Sequence, residues 1–504
     1  MRNHSCRAAL AAAFLLGCGA AHAQAQAPSP YAAPPAAAAY ARPAPVMPPL
    51  RPGQAERLLR ELEAAPSHGF APDAFRTDEI GAVLASGDRA RADENLIAAT
   101  LRYARAMRGG RIDPRSVSSD WAVAPAPFDA ASELTAALQQ DRLDAWLASL
   151  PPPYHGYNAL RTALGRYRQI AASGGWGRLP EGVTVQPGSS DPRMIALRAR
   201  LTAEGYSVGS GAGAVYDPAL VDAVKRFQRR RGMNPDGVLG PGTVRALNVS
   251  AAARAAQIEA NLERWRWIPR EMPVHRIEVN LPTAMLDYYR EGRAHETMLV
   301  AVGDRKHHTP MMTSDIVAIT FNPPWNVPTS IVVNEILPKL KTNPGYLASQ
   351  GLKVVGRSES GIPYLQQAPG PRSALGKVKF ESPNEFAVFL HDTPSRGGFS
   401  RADRLLSHGC VRLQKPLELA TLLLEDHPEW SEERMQQAMD SGKTSRIGLE
   451  APVPMYLLYW TAFVDTQGGV YFWDDIYGWD SRLLAALEQS PTLASADGVG
   501  GGPS

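Results

Sequence analysis

The hydrophobic pattern of this chain changes its period near residue 255, and no other feature limits the fold as strongly. Before that point apolar residues recur at the spacing of one helix face, as Leu58, Leu59 and Leu62 do. After it they alternate with polar residues, as in the segment 277–281, which is typical of half-buried strands. The pattern predicts a multidomain α+β protein with a helical part first and a mainly β part after it.

The helical part divides into two segments. Residues 51–190 carry helix patterns without a cluster of reactive side chains, so we interpret them as a helical scaffold domain. Residues 191–250 form a shorter unit, in which Leu220, Val224 and Phe227 share one helix face before an Asp-Gly turn. This second unit is predicted to be a separate small helical module.

The β part is predicted to span residues 255–488. Apolar runs at 298–302 and 387–390 indicate further strands. Residues from about 331 to 370 differ, because proline and glycine interrupt their pattern, and we expect an insertion between strands. The small, polar residues 489–504 are expected to form a disordered tail.

Residues 1–23 have the composition of a secretory signal peptide. Two arginines precede a short apolar stretch, and small residues at the last and third-last positions suit cleavage after Ala23. A lipoprotein would instead be cleaved before Cys18, although Leu16 is unusual in such a motif. Both alternatives predict export to the periplasm without a stable membrane span. Residues 24–50, rich in Pro and Ala, predict an extended linker.

The charge balance bears on the choice of partners. The chain has 53 basic and 50 acidic residues, a formal net charge of +3. Without the two arginines of the leader the balance is near +1, from 51 basic and 50 acidic residues. Such a balance gives no reason to expect nucleic acid or a membrane surface as a partner.

Cysteine content is the most informative part of the composition. Of three cysteines, Cys6 and Cys18 belong to the leader, so cleavage after Ala23 leaves Cys410 alone. Exported proteins normally pair their cysteines in disulfides, which a single cysteine cannot do within its own chain. A buried structural role is common for a free cysteine. The residues around Cys410 favour a reactive thiol instead.

Two histidines accompany this cysteine. His391 follows an apolar run, and fifteen residues, 392–406, separate it from Ser407. His408 lies two residues before Cys410, on the same face if the backbone is extended. Because the thiolate is the nucleophile and imidazole is the suitable base, we expect one of the two histidines to lower the thiol pKa. The residues alone leave open which one.

Neighbours of the cysteine suit the same chemistry. Gly409 permits positive φ or a close approach of the backbone, and N–H groups around such a glycine can form an oxyanion hole. Arg412 lies two residues beyond the thiol and can bind a carboxylate. Structural roles compete with these interpretations, including an ion pair of Arg412 with Glu418 or Glu425. They are weaker because the single mature cysteine lies in the same cluster.

These residues form a motif that resembles the signature of the L,D-transpeptidase catalytic domain. That signature is a histidine followed at this distance by Ser/Thr-His-Gly-Cys, a hydrophobic residue and Arg or Asn, and 391–412 meets every position. Residues 322–328 and 343–347 resemble the long envelope subfamily, which carries a helical scaffold, a peptidoglycan-binding module and a helical capping insertion. Residues 227–243 are similar to a three-helix peptidoglycan-binding domain.

The resemblance implies roles for the matched positions. Cys410 would be the nucleophile and His391 the general base, with its ring oriented by the backbone carbonyl of Asp392. The positions implied to shape the oxyanion site are Ser407, His408 and Gly409, and those implied to bind substrate are Arg412, Trp325 and Asn326.

The implied reaction joins peptidoglycan stem peptides through a thioester, and carbapenems are implied to acylate the same thiol. The acceptor stays open between a second stem, water, a lipoprotein lysine and a free D-amino acid, and other cell-wall synthesis enzymes are possible partners. A non-catalytic wall-binding protein is the alternative of another class. No metal or organic cofactor is implied, since His307 and His308 lack a ligand partner at metal-site spacing and are interpreted as loop residues.

Overall fold

A computed structural model describes residues 46–489 of the chain. The predicted signal peptide with its two cleavage alternatives, almost all of the predicted linker and the tail from residue 490 lie outside these residues. Within 46–489, no helix combines the length and apolar character that a bilayer span requires.

The scaffold is a bundle of helices around one apolar core. Asp88 and Asp129 begin two of its helices by accepting hydrogen bonds from the backbone N–H groups of Arg91 and Ser132, at 3.2 and 3.1 Å. Its elements are α1 (Pro52–Glu63), α2 (Thr77–Ala85), α3 (Arg89–Gly109), α4 (Pro114–Val117), β1 (Trp121–Ala122), α5 (Ala130–Gln139), α6 (Leu143–Ser149) and α7 (His155–Ala172).

The small module has an apolar core of its own. It consists of α8 (Arg193–Ala203), α9 (Pro218–Arg229) and α10 (Pro241–Leu247). Asp217 caps α9 by accepting from the N–H of Leu220 at 3.0 Å. In the predicted Asp-Gly turn, Gly237 has φ of 75°, and its N–H donates to the Gln228 side chain at 2.8 Å. The helix and turn therefore form where the sequence places them.

A buried carboxylate joins the module to the scaffold. Glu204 accepts from the hydroxyl of Tyr167 on α7 at 2.7 Å and pairs with Arg200 at 2.9 Å and with Arg231. The next helix, α11 (Ala251–Arg264), packs against α7 and contributes Ile258 to the scaffold core. The scaffold core thus includes residues that follow the module in the chain.

The remaining elements form the β part and its insertion. In chain order they are β2 (Arg276–Asn280), β3 (Met285–Arg290), β4 (Arg293–Gly303), β5 (Met311–Phe321), β6 (Trp325–Asn326), α12 (Thr329–Ile331), a π-helical turn (Val332–Ile336), α13 (Leu337–Thr342), α14 (Tyr346–Ser349), β7 (Leu352–Arg357), β8 (Pro363–Gln367), β9 (Val378–Glu381), β10 (Leu390–His391), a 3₁₀ turn (Arg396–Ser400), β11 (Leu405–Ser407), β12 (Val411–Leu413), α15 (Pro416–Leu423), α16 (Glu432–Asp440), β13 (Ser445–Leu458), β14 (Ala462–Val464), β15 (Val470–Phe472) and α17 (Trp479–Gln489).

One large sheet organises the β part. Its strand order is β1-β5-β13-β2-β3-β4-β12-β10-β9. Because β9 also pairs with β5, the strands from β5 to β9 form a closed ring of paired strands. Alternating residues such as Ile277 and Val279 are fully buried in the core. Trp121 of the scaffold lies opposite Met311 and extends this sheet by one strand.

The insertion forms a small subdomain, which we call the cap (residues 325–367). Its strands β6, β8 and β7 make a separate antiparallel sheet, and its core contains Val327, Val332, Ile336 and Leu365. The expected helices are present as α12, the π-helical turn, α13 and α14, and the cap contains this sheet in addition. The sheet forms because β8 alternates buried and more exposed residues, the pattern of a strand with one covered face.

The predicted fold class, with helical domains before a mainly β domain, is confirmed.

Candidate active site

Short strands bring the predicted nucleophile and base into one region. β10 lies between β9 and β12, antiparallel to the first and parallel to the second. The register pairs Leu390 with Val411 and His391 with Arg412. Cys410, which immediately precedes β12, is thereby held beside β10.

Basic side chains form a row across these strands. His391 lies opposite Lys379 on β9 as well as opposite Arg412 on β12. Cys410 is two residues before Arg412, which places both on one face of an extended backbone. The thiol interacts electrostatically with both Lys379 and Arg412. Lys379 is a member of the site that the sequence did not indicate, because only the strand pairing brings it to the motif.

His391 is buried and neutral near pH 7. Burial lowers its pKa to about 4, the nearby Arg412 acts in the same direction, and a hydrogen bond to the backbone at Asp392 opposes the change. Nδ1 of the ring lies 2.5 Å from the carbonyl oxygen of Asp392. Because Nδ1 donates to this carbonyl, Nε2 keeps its lone pair and can accept a proton.

The thiol of Cys410 lies 3.9 Å from the carbonyl oxygen of Ala387. Burial raises its pKa above the ordinary value of 9.0, although a backbone hydrogen bond and the charges of Lys379 and Arg412 act in the opposite direction. The expectation that a histidine lowers this pKa is therefore wrong for the resting site. Neither histidine is among the groups that shift it, and no hydrogen bond within residues 46–489 joins His391 to Cys410.

The loop from Ser407 to Cys410 is fixed by two hydroxyl groups. Ser407 Oγ donates to the carbonyl of Cys410 at 2.5 Å and accepts from the N–H of Gly409 at 3.1 Å. Thr309 Oγ1 donates to the carbonyl of Gly409 at 2.7 Å, and Gly409 has φ of 112°. The N–H of Gly409 is therefore occupied. In the described part of the chain the N–H groups of His408 and Cys410 have no acceptor and remain available to a ligand.

The imidazole of His408 is bound to the cap. Its Nε2 lies 2.7 Å from Oε1 of Glu335, and its ring centroid lies 4.6 Å from that of His307. Ligand-type atoms of these three side chains all lie within 4.8 Å of one another. His307, interpreted from the sequence as a loop residue without a ligand partner, thus has two such neighbours. His308 instead pairs with Asp120 of the scaffold, at 3.0 Å.

Asp392 acts on the site through its backbone. Its carbonyl receives the hydrogen bond of His391, while its carboxylate binds one residue before it and one residue after it in the chain. One carboxylate oxygen accepts from the N–H of Lys377 at 2.8 Å, and the other lies 2.9 Å from the guanidinium of Arg396. The carboxylate thus has structural partners of its own.

A cavity of about 400 Å³ adjoins Arg412. Nε of Arg412 is buried and has no hydrogen-bond acceptor within residues 46–489. Of the carboxylates considered from the sequence, Glu425 pairs with Arg290 instead. The guanidinium is therefore available to a carboxylate of a ligand. The other residues that line the cavity are Ala301, Thr393, Ser395, Gly397, Gly398, Phe399, Arg401 and Leu406.

The structure does not bring Trp325 and Asn326 to the thiol. Both lie in β6 of the cap, opposite Gln367 and Gln366. Asn326 Oδ1 accepts from Gln366 Nε2 at 2.8 Å, and Trp325 packs against the cap core. No contact among the described residues joins either side chain to Cys410.

Comparison with known protein families divides the chain into matched segments. Residues 274–439 match the L,D-transpeptidase catalytic domain. Residues 50–164 match a scaffold domain. Residues 190–247 match the family described as "Putative peptidoglycan binding domain".

Individual proteins are similar over parts of the chain. A "Putative L,D-transpeptidase" of Haemophilus influenzae is 35% identical over 246 residues, which is 46% of this chain and 49% of that protein. The chain thus spans about half the length of this curated relative.

Solved structures of L,D-transpeptidases match as well. The crystal structure of an L,D-transpeptidase (residues 123–326) from Xylanimonas cellulosilytica is 19% identical, with a TM-score of 0.18, and covers 55% of this chain and 99% of that one. The NMR structure of the catalytic domain of the E. faecium L,D-transpeptidase acylated by ertapenem is 14% identical, with a TM-score of 0.20, and covers 37% of this chain and 99% of that one.

The family models agree with the resemblance carried by the motif at 391–412. The segment 391–412 lies within the matched catalytic domain, and the two helical segments before it match the scaffold family and the putative peptidoglycan-binding family. The resemblance inferred from the sequence is confirmed: residues 274–439 belong to the L,D-transpeptidase catalytic-domain family, and the chain carries this domain behind a scaffold domain and a peptidoglycan-binding domain.

Proposed function

We propose that this protein is a peptidoglycan L,D-transpeptidase of the periplasm, with Cys410 as nucleophile and His391 as general base. The observation that carries the proposal is the strand register, which places His391 opposite Arg412 and Lys379 and places Cys410 two residues before Arg412, with its thiol near both cations. A neutral imidazole and a thiol next to two cations suit acyl transfer through a thioester. The chemistry requires no cofactor.

The first half-reaction cleaves the donor stem. Sγ of Cys410 attacks the carbonyl carbon of the third residue of a tetrapeptide stem, on the L-centre of its diamino acid. Nε2 of His391 takes the thiol proton and passes it to the amine of the terminal D-Ala, which leaves as the C–N bond breaks. Because the pKa of the thiol is raised and that of the imidazole is about 4, the proton moves during the attack and not in a preformed ion pair.

Backbone and cationic groups stabilise this step. The N–H groups of His408 and Cys410 have no acceptor among the described residues, so they are the donors we assign to the oxyanion of the tetrahedral intermediate. The guanidinium of Arg412, whose Nε has no acceptor among residues 46–489, binds a carboxylate of the stem. Ser407 and Gly409 keep the loop in the conformation that presents these donors.

The second half-reaction transfers the acyl group. The side-chain amine of a second stem attacks the thioester carbonyl, the C–S bond breaks, and His391 takes a proton from the amine and returns one to the sulfur. The product is a cross-link between two third-position residues. Water in place of the amine would give an L,D-carboxypeptidase, and a lipoprotein lysine or a free D-amino acid would give other acyl products.

Purified disaccharide-tetrapeptides test the proposal directly. Mass spectrometry of the reaction should show free D-Ala and a cross-linked dimer, and Cys410→Ala should form neither. Tripeptide without dimer would assign the carboxypeptidase reaction. No product from correctly folded protein would favour the non-catalytic wall-binding alternative.

The module at 191–250 is proposed to hold the enzyme on the wall. Its match to a peptidoglycan-binding family and its separate apolar core support this role. The Cys410→Ala protein should co-sediment with isolated peptidoglycan, and a protein of residues 179–249 should do so as well. Sedimentation no better than that of an unrelated helical domain of equal size would make the module a spacer.

A further inference from the structure

Three separate segments bring ligand-type side chains to one point at the edge of the site. His307 comes from the β4–β5 loop, His408 from the loop before Cys410, and Glu335 from the π-helical turn of the cap. Their ligand atoms all lie within 4.8 Å of one another. We propose that His307, His408 and Glu335 bind a divalent transition-metal ion, Zn²⁺ by their chemistry, and that the ion fastens the cap to the catalytic loop.

His307 is oriented as a metal ligand is. Its Nδ1 lies 3.0 Å from Oδ1 of Asp304, which leaves Nε2 for the ion. Asp304 is itself fixed, because the backbone N–H groups of Lys306 and His307 donate to it at 2.7 and 2.8 Å. A carboxylate that holds the far nitrogen of a histidine is the usual outer partner of a zinc ligand.

An ion pair without a metal does not account for the whole arrangement. The contact between His408 Nε2 and Glu335 Oε1, at 2.7 Å, is satisfied by these two residues alone. That pair does not involve His307, whose ring lies 4.6 Å from the ring of His408 and, within residues 46–489, shares no acceptor with it. A bound cation gives both rings a common partner.

Small side-chain rotations produce the required geometry. Tetrahedral Zn²⁺ with nitrogen and oxygen ligands separates neighbouring ligand atoms by about 3.3 Å. The 2.7 Å pair must therefore open slightly and the wider separations must shorten. The side chains of His307, His408 and Glu335 are 44, 39 and 33% exposed, so they can move without repacking the core. Three protein ligands leave a fourth position to water.

The ligand set selects the class of ion. Two imidazoles with one carboxylate suit Zn²⁺ and its neighbours better than Mg²⁺ or Ca²⁺, which prefer oxygen ligands. The other carboxylate oxygen of Glu335 lies 3.9 Å from the ammonium of Lys339, so one oxygen remains for the ion. Since His408 is two residues from Cys410, the bound ion would limit movement of the cap relative to the loop that carries the thiol.

Zinc binding to the chain from residue 24 onward, which contains no cysteine once Cys410 is replaced by alanine, tests the site. Calorimetry with ZnSO₄ on Cys410→Ala should give one saturable site. His307→Gln and Glu335→Gln should each weaken it at least tenfold, and Asp304→Asn about 10–100-fold. The matched controls His155→Gln, on an exposed residue at the start of α7, and Glu359→Gln, on an exposed residue of the cap, should bind as the parent does.

Hydrogen exchange tests the fastening separately. Zn²⁺ should slow amide exchange in residues 325–367 of the parent but not of Glu335→Gln. Absence of saturable binding, or equal affinity in the ligand variants and the controls, would overturn the site. Binding without slower exchange in the cap would overturn the fastening.

Discussion

His391 lies directly opposite Arg412 on the neighbouring parallel strand. The guanidinium adds to the effect of burial, and the pKa of the imidazole falls to about 4. The imidazole that we propose as the base is thus kept neutral next to the strand that follows the thiol. We expect His391 and His408, the two histidines of the motif, to have different roles, which substitutions can distinguish.

Loss of His391 should affect turnover far more than loss of His408. We expect His391→Ala to reduce kcat for tetrapeptide cleavage by about 10²–10⁴-fold, the usual contribution of a general base. His408→Ala should retain much of the activity, because its ring binds Glu335 and only its backbone N–H is assigned to the oxyanion. His155→Ala, at the exposed start of α7, is the control. The reverse order of defects would exchange the two roles.

The same base sets the acid limit of activity. His391 accepts a proton only while it is neutral, which is above its pKa of about 4. The rate should therefore hold through the range where an ordinary histidine, with pKa near 6.5, becomes charged, and should fall as the pH passes through about 4. A pH profile of kcat/KM with its acid limb near 6.5 would show that a different or more exposed group is the base.

Lys379 should promote ionisation of the thiol. Its ammonium lowers the pKa of Cys410 against the larger opposing effect of burial. Lys379→Gln should therefore shift the pH profile of alkylation by iodoacetamide to higher pH and slow the reaction at neutral pH. Lys443→Gln, on an exposed lysine, is the matched control. An unchanged profile in Lys379→Gln would remove this lysine from the site.

Carbapenems should acylate Cys410. The strained lactam opens when Sγ bonds to its carbonyl carbon, the lactam C–N bond breaks and the nitrogen takes the proton, so the adduct has the whole mass of the drug. Intact-protein mass spectrometry should find one adduct in the parent and none in Cys410→Ala. An adduct that persists in the variant would refute the assignment of the nucleophile.

Much of the site could be predicted because its parts are close in sequence. The motif 391–412 indicated Cys410 and His391, and the loop residue Gly409 takes the positive φ that its position suggested. Lys379 belongs to a different strand and has no local signal. Its proximity depends on the register of β9 against β10, which alternation alone does not determine.

One predicted strand is mostly a loop. The apolar run 387–390 indicated a strand, but only Leu390 and His391 form β10. The side chain of Asn384 accepts from the N–H of Val388 and donates to its carbonyl, so the backbone there is satisfied without a sheet partner. Ala387 has φ of 53°, and its carbonyl lies by the thiol. A hydrophobic pattern does not reveal hydrogen bonds between a side chain and the backbone, so this loop could not be predicted from it.

Acid should weaken the junction between scaffold and module through Glu204. Burial disfavours its charge, but Arg231 and Arg200 outweigh this and lower the pKa from 4.5 to about 2. The carboxylate therefore adds stability above pH 4.5, which is lost as the pH falls through about 2. Glu204→Gln should lower the free energy of unfolding at pH 7 by about 3–5 kcal/mol, since the two arginines remain buried.

Urea denaturation of Glu204→Gln and the parent, between pH 7 and pH 2, measures this contribution. The difference between the two proteins should shrink as the pH approaches 2. Glu181→Gln, on an exposed residue, should unfold as the parent does at every pH. A constant difference would mean that the carboxylate is not the group responsible.

The cap is expected to decide between cross-linking and hydrolysis. The thioester must wait for a bulky amine while water competes, so a subdomain that excludes water and holds the acceptor favours transfer. The structure offers a clean excision point, because the N–H of Val327 donates to the carbonyl of Leu365 at 2.9 Å where the two chain ends of the cap meet. A four-residue Gly-Ser turn can replace residues 328–364 and leave β5 and β9 undisturbed.

Removal of residues 328–364 should raise the ratio of tripeptide to cross-linked dimer formed from purified tetrapeptide stems. Cys410 should still be acylated, because its flanking groups His391, Lys379 and Arg412 all lie outside the cap. Glu335→Gln, which keeps the cap folded but weakens its contact with His408, should change the ratio in the same direction and by less. Because Glu335→Gln removes no part of the cap, it distinguishes loss of gating from other effects of deleting residues 328–364. An unchanged ratio in both would mean that the cap is structural and that the acceptor is selected elsewhere.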